Sequence, residues 1–334
     1  MSTVRARAPG RVNLIGDHTD YTGGLVLPMA IDLETVVVAD RGGDRVVLAS
    51  VEDDHPADVG LDVADPAAVE PAWARYVAGV VAVVQPSRGL RGHLSTTLPV
   101  GAGLSSSAAL EVSVALALGF EGSPLALARA CQRAEQLASG VPCGIMDQLA
   151  SAAGVEGHAL LIDCSTSTVE PVPLPEGLEV VVVHSGVARR LAGSAYADRR
   201  AECEAAEAEI GPLRSATAAD VAGLADPVLR RRARHVISEN ERVRAFAAAL
   251  AGGHLADLGP LLEASHASLR EDFEVTTAEL DALAGRLRAT PGVLGARMTG
   301  AGFGGCVVAL TGPGALHEGW QVRAAPGASV VTEG

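Results

Sequence analysis

Pro99-Val-Gly-Ala-Gly-Leu-Ser-Ser-Ser-Ala-Ala-Leu-Glu111 places Gly101 and Gly103 ahead of three consecutive hydroxyl residues, and the chain then runs on rich in Ala and Leu to Leu118. Glycine lets a backbone come close to a ligand. A helix that begins at serines offers an anion its free N–H groups, its dipole and hydroxyl donors. The segment reads as a Gly-rich turn opening a buried helix over Leu104 to Leu118, and as a phosphate cradle that works without a lysine. A turn with serine N-caps and no ligand accounts for the same residues equally well, so these residues alone leave both readings open.

Outward from this turn the pattern is mixed. β-branched runs at Thr35 to Ala39 and Arg45 to Ser50, and an alternating segment from Leu90 to Leu98, read as strands. Helices are expected at about Pro124 to Ala138 and Gly144 to Ala153, then a strand over His158 to Asp163. A Pro-rich stretch, Val169 to Pro175, precedes another expected strand, Leu178 to His184. From Tyr196 to about Arg288 the pattern is mostly helical, and two short strands close the chain around Gly295 to Thr299 and Cys306 to Leu310. The fold class is therefore α+β, with a boundary in the Pro-rich stretch that divides the chain into 1–175 and 176–334.

The 334 residues suffice for one large or two medium domains. No apolar run reaches membrane-spanning length and Met1 to Gly10 carries none that resembles a signal peptide, so a soluble, cytoplasmic protein is expected. The five cysteines, Cys131, Cys143, Cys164, Cys203 and Cys306, are scattered and show no C-x-x-C spacing, which suggests neither a disulfide framework nor a zinc site. A net charge of −14 argues against nucleic acid or an anionic membrane as partner. All 26 basic residues are arginine. Without lysine there is no Walker A loop, no protein-kinase strand lysine and no pyridoxal phosphate Schiff base. A phosphate-rich ligand must then be met by backbone N–H groups, a helix N-terminus, a metal ion and arginine.

Two further segments carry chemistry. Gly10-Arg-Val-Asn-Leu-Ile-Gly-Asp-His-Thr-Asp-Tyr-Thr-Gly-Gly24 packs Arg11, Asn13, Asp17, His18, Asp20 and Tyr21 between glycines. Paired carboxylates beside a guanidinium suit a polyol, whose hydroxyls point in several directions, whereas a solvated polar loop is the plainer reading. Metal ligation by His18 and Asp20 is the weaker one, because no further ligand stands at suitable spacing. Arg297-Met-Thr-Gly-Ala-Gly-Phe-Gly-Gly-Cys306 satisfies G-x-G-x-x-G at Gly300, Gly302 and Gly305. A dinucleotide fingerprint would open a helix and be followed by an acidic residue about twenty positions on. Here Cys306 to Leu310 reads as a strand, which leaves a tight hairpin or a loop supporting a nucleotide site.

Together these segments resemble the galactokinase family of the GHMP kinase superfamily. Gly10 to Gly24 looks like its signature, Gly103 to Glu111 like its ATP loop and Met298 to Cys306 like its third motif, while Cys131-Gln-Arg-Ala-Glu135, Cys143-Gly-Ile-Met-Asp-Gln148, Leu160-Leu-Ile-Asp-Cys164, Ser194-Ala-Tyr196 with Arg199-Arg200, and Asp272-Phe-Glu-Val275 follow in the family's order. The resemblance implies a GHMP kinase fold, with an N-terminal domain like ribosomal protein S5 domain 2 and a C-terminal ferredoxin-like α+β domain. It also implies ATP-dependent phosphorylation of the C1 hydroxyl of galactose or a close analogue, with ATP and Mg²⁺ required and a monomer or weak homo-oligomer in solution.

Residue by residue, the resemblance makes Asp147 the carboxylate beside the C1 hydroxyl and Arg11 its neighbour. A guanidinium next to a carboxylate favours the charged form and stabilises charge on the phosphoryl group. Ser107 and Glu135 match the metal-binding serine and glutamate. Gly101, Ala102, Gly103, Leu104, Ser105, Ser106, Ser107 and Ala108 match the phosphate loop, and Trp73 with Tyr76 matches a segment beside the adenine. Asp17, His18, Asp20, Gly144, Asp147 and Tyr196 match the sugar contacts. At Asp17 the family usually carries Glu, and at Thr22 usually Asn; the chain ahead of Arg11 is also shorter than in most members. The missing methylene at Asp17 retracts the carboxylate by about 1.5 Å, which raises an alternative substrate altered at C5, such as arabinose or galacturonate. A silent sugar and ATP sensor is a second alternative, disfavoured because Arg11, Ser105 to Ala108, Glu135 and Asp147 are all in place. A kinase for a non-sugar alcohol such as mevalonate or homoserine is disfavoured by the His18-Thr-Asp20-Tyr segment.

Overall fold

A computed structural model describes residues 3–99, 101–187 and 192–333; Val100, in the Gly-rich turn, lies outside the described residues. The first half runs β1 (Thr3–Asn13), β2 (Leu25–Val26), β3 (Pro28–Arg41), β4 (Arg45–Ser50), β5 (Ala57–Gly60), α1 (Ala74–Val84), β6 (Leu90–Thr96), α2 (Ser106–Ala117), α3 (Pro124–Ser139) and α4 (Met146–Ala153). It continues with β7 (His158–Asp163), β8 (Thr168–Pro173) and β9 (Glu179–His184). Helices follow as α5 (Ala192–Ile210), α6 (Ala218–Gly223), α7 (Pro227–Ala251), α8 (Leu255–Glu271) and α9 (Ala278–Arg288). The chain closes with β10 (Val293–Thr299), β11 (Cys306–Thr311), β12 (Trp320–Val322) and β13 (Ser329–Glu333). The mixed α+β class read from the sequence is the class observed.

Local chemistry fixes several boundaries. Ser123 caps α3 by accepting from the Ala126 N–H, Pro124 occupies the first turn, where no N–H partner is lost, and Gly140 ends the helix in the left-handed region. Ser105 adopts φ 59°, so α2 begins at Ser106, two residues later than the sequence suggested. The Pro-rich stretch, expected to be only a connection, contains β8, which lies at the edge of a three-stranded sheet ordered β2-β7-β8. An edge strand tolerates Pro171 and Pro173 because one side of its backbone needs no ladder donor.

A six-stranded sheet is ordered β13-β1-β3-β6-β4-β5, so the last strand returns to pair with the first, Thr3 opposite Glu333 and Arg7 opposite Ser329. A four-stranded antiparallel sheet is ordered β10-β11-β9-β12. Alternate residues of its central strands serve different cores. Val180, Val182, Val308 and Leu310 join the cluster beneath the first sheet, while Val181, Val183, Val307 and Ala309 join a second cluster with residues of α5, α7 and α9. A strand buried on both faces reads as a continuous apolar run, as Val180 to Val183 does. Among the described residues no helix is long and apolar enough to cross a membrane.

Candidate active site

The site begins at an irregularity in β1. The register against β3 shifts between Pro9 and Arg11, and a Cβ on the intervening Gly10 would come within 2.4 Å of the Leu98 side chain and 2.6 Å of the Leu104 carbonyl. Glycine is therefore required for β1 to touch the Gly-rich turn, and the contact is sealed by Arg11 N–H donating to Leu104 O at 3.1 Å. The Arg11 guanidinium is thereby delivered to three partners. Nε and Nη2 donate to the two oxygens of Asp147, each at 2.8 Å, and Nη1 donates to Gly103 O at 2.7 Å. Asp147 stands in the first turn of α4 and also accepts from Ser105 Oγ at 2.6 Å.

These residues line a cavity of about 430 Å³, together with Asp17, His18, Asp20, Tyr76, Gly101, Gly103, Ser106, Ser107, Glu135, Cys143, Gly144, Tyr196, Gly300 and Ala301. The sequence-derived candidates thus converge, with four exceptions. Ala102, Leu104 and Ala108 are buried behind the wall. Trp73 stands outside the lining, its indole N–H donated to His55 O at 3.2 Å. On the phosphate side, Ser106 and Ser107 occupy the first turn of α2, and Ser107 Oγ donates to Glu135 Oε1 at 3.1 Å. Burial, reinforced by Asp147, pushes the Glu135 carboxyl up to about 7. The serine hydroxyl and the carboxylate are hard oxygen donors, the class Mg²⁺ prefers, and they are too few to hold the ion without phosphate and water.

On the other side, Asp20 fits only because residue 144 is glycine, where a Cβ would lie 1.8 Å from Asp20 Oδ2. Burial, then the charges of Asp147 and Asp17, push the Asp20 carboxyl up to about 7. His18, at φ 64°, hydrogen-bonds through Nδ1 to Tyr21 Oη at 2.9 Å and through Nε2 to Ala301 O at 3.2 Å. Its ring packs against Tyr196 and Phe273, and burial, then His235, holds its pKa down to about 3, so it is neutral. Asp17 accepts from Gly300 N at 3.0 Å and pairs with Arg297. The Gly-rich segment 300–305 is therefore a strand–turn–strand hairpin loop that contacts the polyol-like segment through Gly300 and Ala301 and is held from behind by Phe303 N–H donating to Val275 O and Gly305 N–H to Val187 O.

Other supports were not read from the sequence. Helix α7 presents Arg232, His235, Glu239 and Asn240 as buried polar groups. His235 Nε2 hydrogen-bonds to Asp17 O, Glu239 accepts from Gly16 N, Asn240 accepts from Leu25 N, and Arg297 donates to Leu14 O. The backbone of 14–25, whose own turn leaves these groups unpaired, is satisfied from outside. A polar stripe at spacing three and four in an otherwise helical pattern, and a charged residue inside an apolar strand, were the available signals.

Residues 2–41 match the family model of the galactokinase galactose-binding signature, 75–155 that of the GHMP kinases N-terminal domain and 246–320 that of the GHMP kinases C-terminal region. The chain is 44% identical to a galactokinase of Chloroflexus aurantiacus over 95% of its own length and 88% of the relative's. It is 46% identical to a galactokinase of Chloroflexus aggregans over 91% and 83%. Its structure resembles that of Lactococcus lactis galactokinase complexed with galactose, with TM-score 0.91 and 32% identity, covering 98% of this chain and 95% of the other. A likeness to Methanococcus jannaschii mevalonate kinase, TM-score 0.69 at 17% identity over 96% and 98%, extends the fold to kinases of other alcohols.

Proposed function

The chain belongs to the galactokinase family of GHMP kinases, and from that premise we propose that it transfers the γ-phosphoryl group of ATP to the C1 hydroxyl of galactose, with Asp147 and Arg11 at the point of transfer. The observation that supports this is the Arg11 junction. One guanidinium joins the polyol-like segment, the phosphate turn through Gly103 and the first turn of α4 through Asp147. In this reading sugar and nucleotide lie on either side of a single ion pair.

A carboxylate has about four acceptor positions, and Asp147 uses three of them, on Arg11 Nε, Arg11 Nη2 and Ser105 Oγ. The position left over accepts the C1 hydroxyl and aims its oxygen. In a loose phosphoryl-transfer transition state such aiming, with electrostatic stabilisation, does most of the work, and proton uptake by Asp147 completes the step late. Gly101, Gly103 and the N-terminus of α2 cradle the phosphates. Ser107 and Glu135 would hold Mg²⁺, which when bound would supply charge neutralisation for the triphosphate. Asp17, His18, Asp20, Gly144 and Tyr196 surround the sugar, the neutral His18 acting only through hydrogen bonds.

The test is ATP-dependent turnover of galactose with ADP and sugar 1-phosphate as products, set beside galactose methylated at O1. Turnover of the free sugar alone supports the proposal. Equal turnover of the O1-methyl sugar places transfer at another hydroxyl and removes the role given to Asp147.

A further inference from the structure

One helical turn beyond Ser107, Glu111 stands behind the wall of the cleft with no exposed surface, and Gln148 beside it has none either. Gln148 Nε2 donates to Glu111 Oε2 at 3.2 Å, and the same nitrogen donates to Glu135 Oε2. Two atoms of this group are buried without a partner: Oε1 of Glu111 and Oε1 of Gln148. An acceptor buried without a donor costs free energy. These two are, however, the second oxygens of a carboxyl and a primary amide already joined by one hydrogen bond. A carboxylic acid and an amide that meet in this way close a ring when the acid keeps its proton, the O–H donating to the amide oxygen while the N–H donates back. One proton then satisfies both atoms. Burial favours the same state, because Glu111 has no exposed surface and loss of solvent disfavours a charged carboxylate.

We propose that Glu111 is a neutral carboxylic acid closed on Gln148 through two hydrogen bonds, and that this clasp aims the second N–H of Gln148 at Glu135. Gln148 is thus a positioning residue for the carboxylate facing the metal, and Glu111 holds Gln148 in that orientation. An ionised Glu111 would instead add a second buried carboxylate charge beside Glu135 and leave Gln148 Oε1 without a donor. The positioning half of the inference rests on the reading that Ser107 and Glu135 hold Mg²⁺; the clasp itself does not.

The decisive variant is Glu111→Gln, because a glutamine carries one acceptor and one donor where the neutral acid does, and pairs with Gln148 amide to amide. Glu111→Ala and Gln148→Leu break the clasp. Infrared difference spectra of the wild type against Glu111→Gln are expected to show the carbonyl band of a protonated carboxyl group, lost in the variant. Paramagnetic resonance of Mn²⁺ bound to the ADP complex is expected to show affinity about tenfold or more weaker in Glu111→Ala and Gln148→Leu, restored to within about threefold in Glu111→Gln, the scale of losses seen when a group orienting a metal ligand is removed. Absence of the acid band, or a Glu111→Gln protein that binds Mn²⁺ about tenfold or more weaker than the wild type, overturns the proposal, and both readouts need only the wild type and Glu111→Gln. Glu135→Gln separates the two layers. If it leaves Mn²⁺ affinity unchanged, the metal reading and the positioning role fall together, while the infrared band still decides the clasp.

Discussion

Arg11 with Asp147 and Arg297 with Asp17 are the same chemical pair in two surroundings. The first is lopsided: the Arg11 side chain is 5% exposed and Asp147 30%. The second is sealed, at 0% and 2%. Asp147 keeps an open face and an acceptor position for a ligand, whereas both Asp17 oxygens already have protein partners in Arg297 and Gly300. The carboxylate proposed to meet the sugar keeps one acceptor position open, with Arg11 and Ser105 donating to the rest. One that must hold a loop is paired on every side, and its pairing costs little reorganisation when the sugar arrives.

The strongest way to break this contrast is to remove each acid. Asp147→Ala is expected to lower kcat by about 10² to 10⁴-fold, the range for a positioned acid–base group, with ATP still bound and a smaller loss of stability than in the sealed pair, because Arg11 keeps Gly103 O as a partner. The expected effect of Arg297→Met is the reverse. Stranding Asp17 in a buried site should destabilise the fold by about 3–5 kcal/mol, read as a shifted urea midpoint, with kcat of the folded fraction largely kept. If both substitutions act on the same observable, the distinction between an open and a sealed pair is wrong.

A smaller effect concerns Asp20, whose carboxyl feels the charge of the acid in each pair. Its carboxyl is pushed up to about 7 by burial, then by Asp147 and Asp17. In the proposed role the ionised form accepts sugar hydroxyls, so kcat/KM for the sugar should rise with pH and level off above about 7, with a slope that Asp20→Asn reduces but does not abolish, because Glu135 is also pushed up to about 7. For stability the sign is opposite. The folded state binds the extra proton between the ordinary carboxylate value, about 3.9, and about 7. Stability of the ligand-free protein should therefore fall as pH rises through that window, and the variant should show a flatter dependence. A kcat/KM that falls with pH would mean that the neutral acid, donating to the sugar, is the working form.

How much of this was legible in the chain depends on where polarity sat. Long apolar or β-branched runs announced β4, β7 and β9 nearly to the residue, because a buried strand needs that composition whatever surrounds it. Strand β1 was not seen, although Val4, Ala6 and Ala8 are buried in strict alternation with Thr3, Arg5 and Arg7. Its inward positions are mostly alanine and its outward ones mostly arginine, a pattern with weak intrinsic strand preference. Asp17 and His18 were found as a polyol-like cluster. Their supports, Arg297, His235 and Glu239, come from 218 or more positions later in the chain, and no local pattern reveals a partner at such a distance. The convergence of Arg11, Gly103 and Asp147 on one point likewise depends on the Gly10 irregularity, which is a tertiary fit and not a propensity.

The smallest expected effect is the sharpest probe of the sealed pair. Asp17→Glu adds one methylene, about 1.5 Å of reach, to a side chain with no free space on the Arg297 side. The extra length must either displace Arg297 and Gly300 or bring the carboxylate toward the cleft that Asp17 lines. Overpacking of this kind costs about 1–3 kcal/mol, so a modest fall in melting temperature signals the first outcome. The second is signalled by kcat/KM for galactose rising against that for arabinose, which lacks the C6 hydroxymethyl group, by up to about tenfold, or about 1.4 kcal/mol. A change in stability without a change in the sugar ratio would assign Asp17 wholly to the loop, and substrate choice at C6 would then rest on the other groups around the sugar.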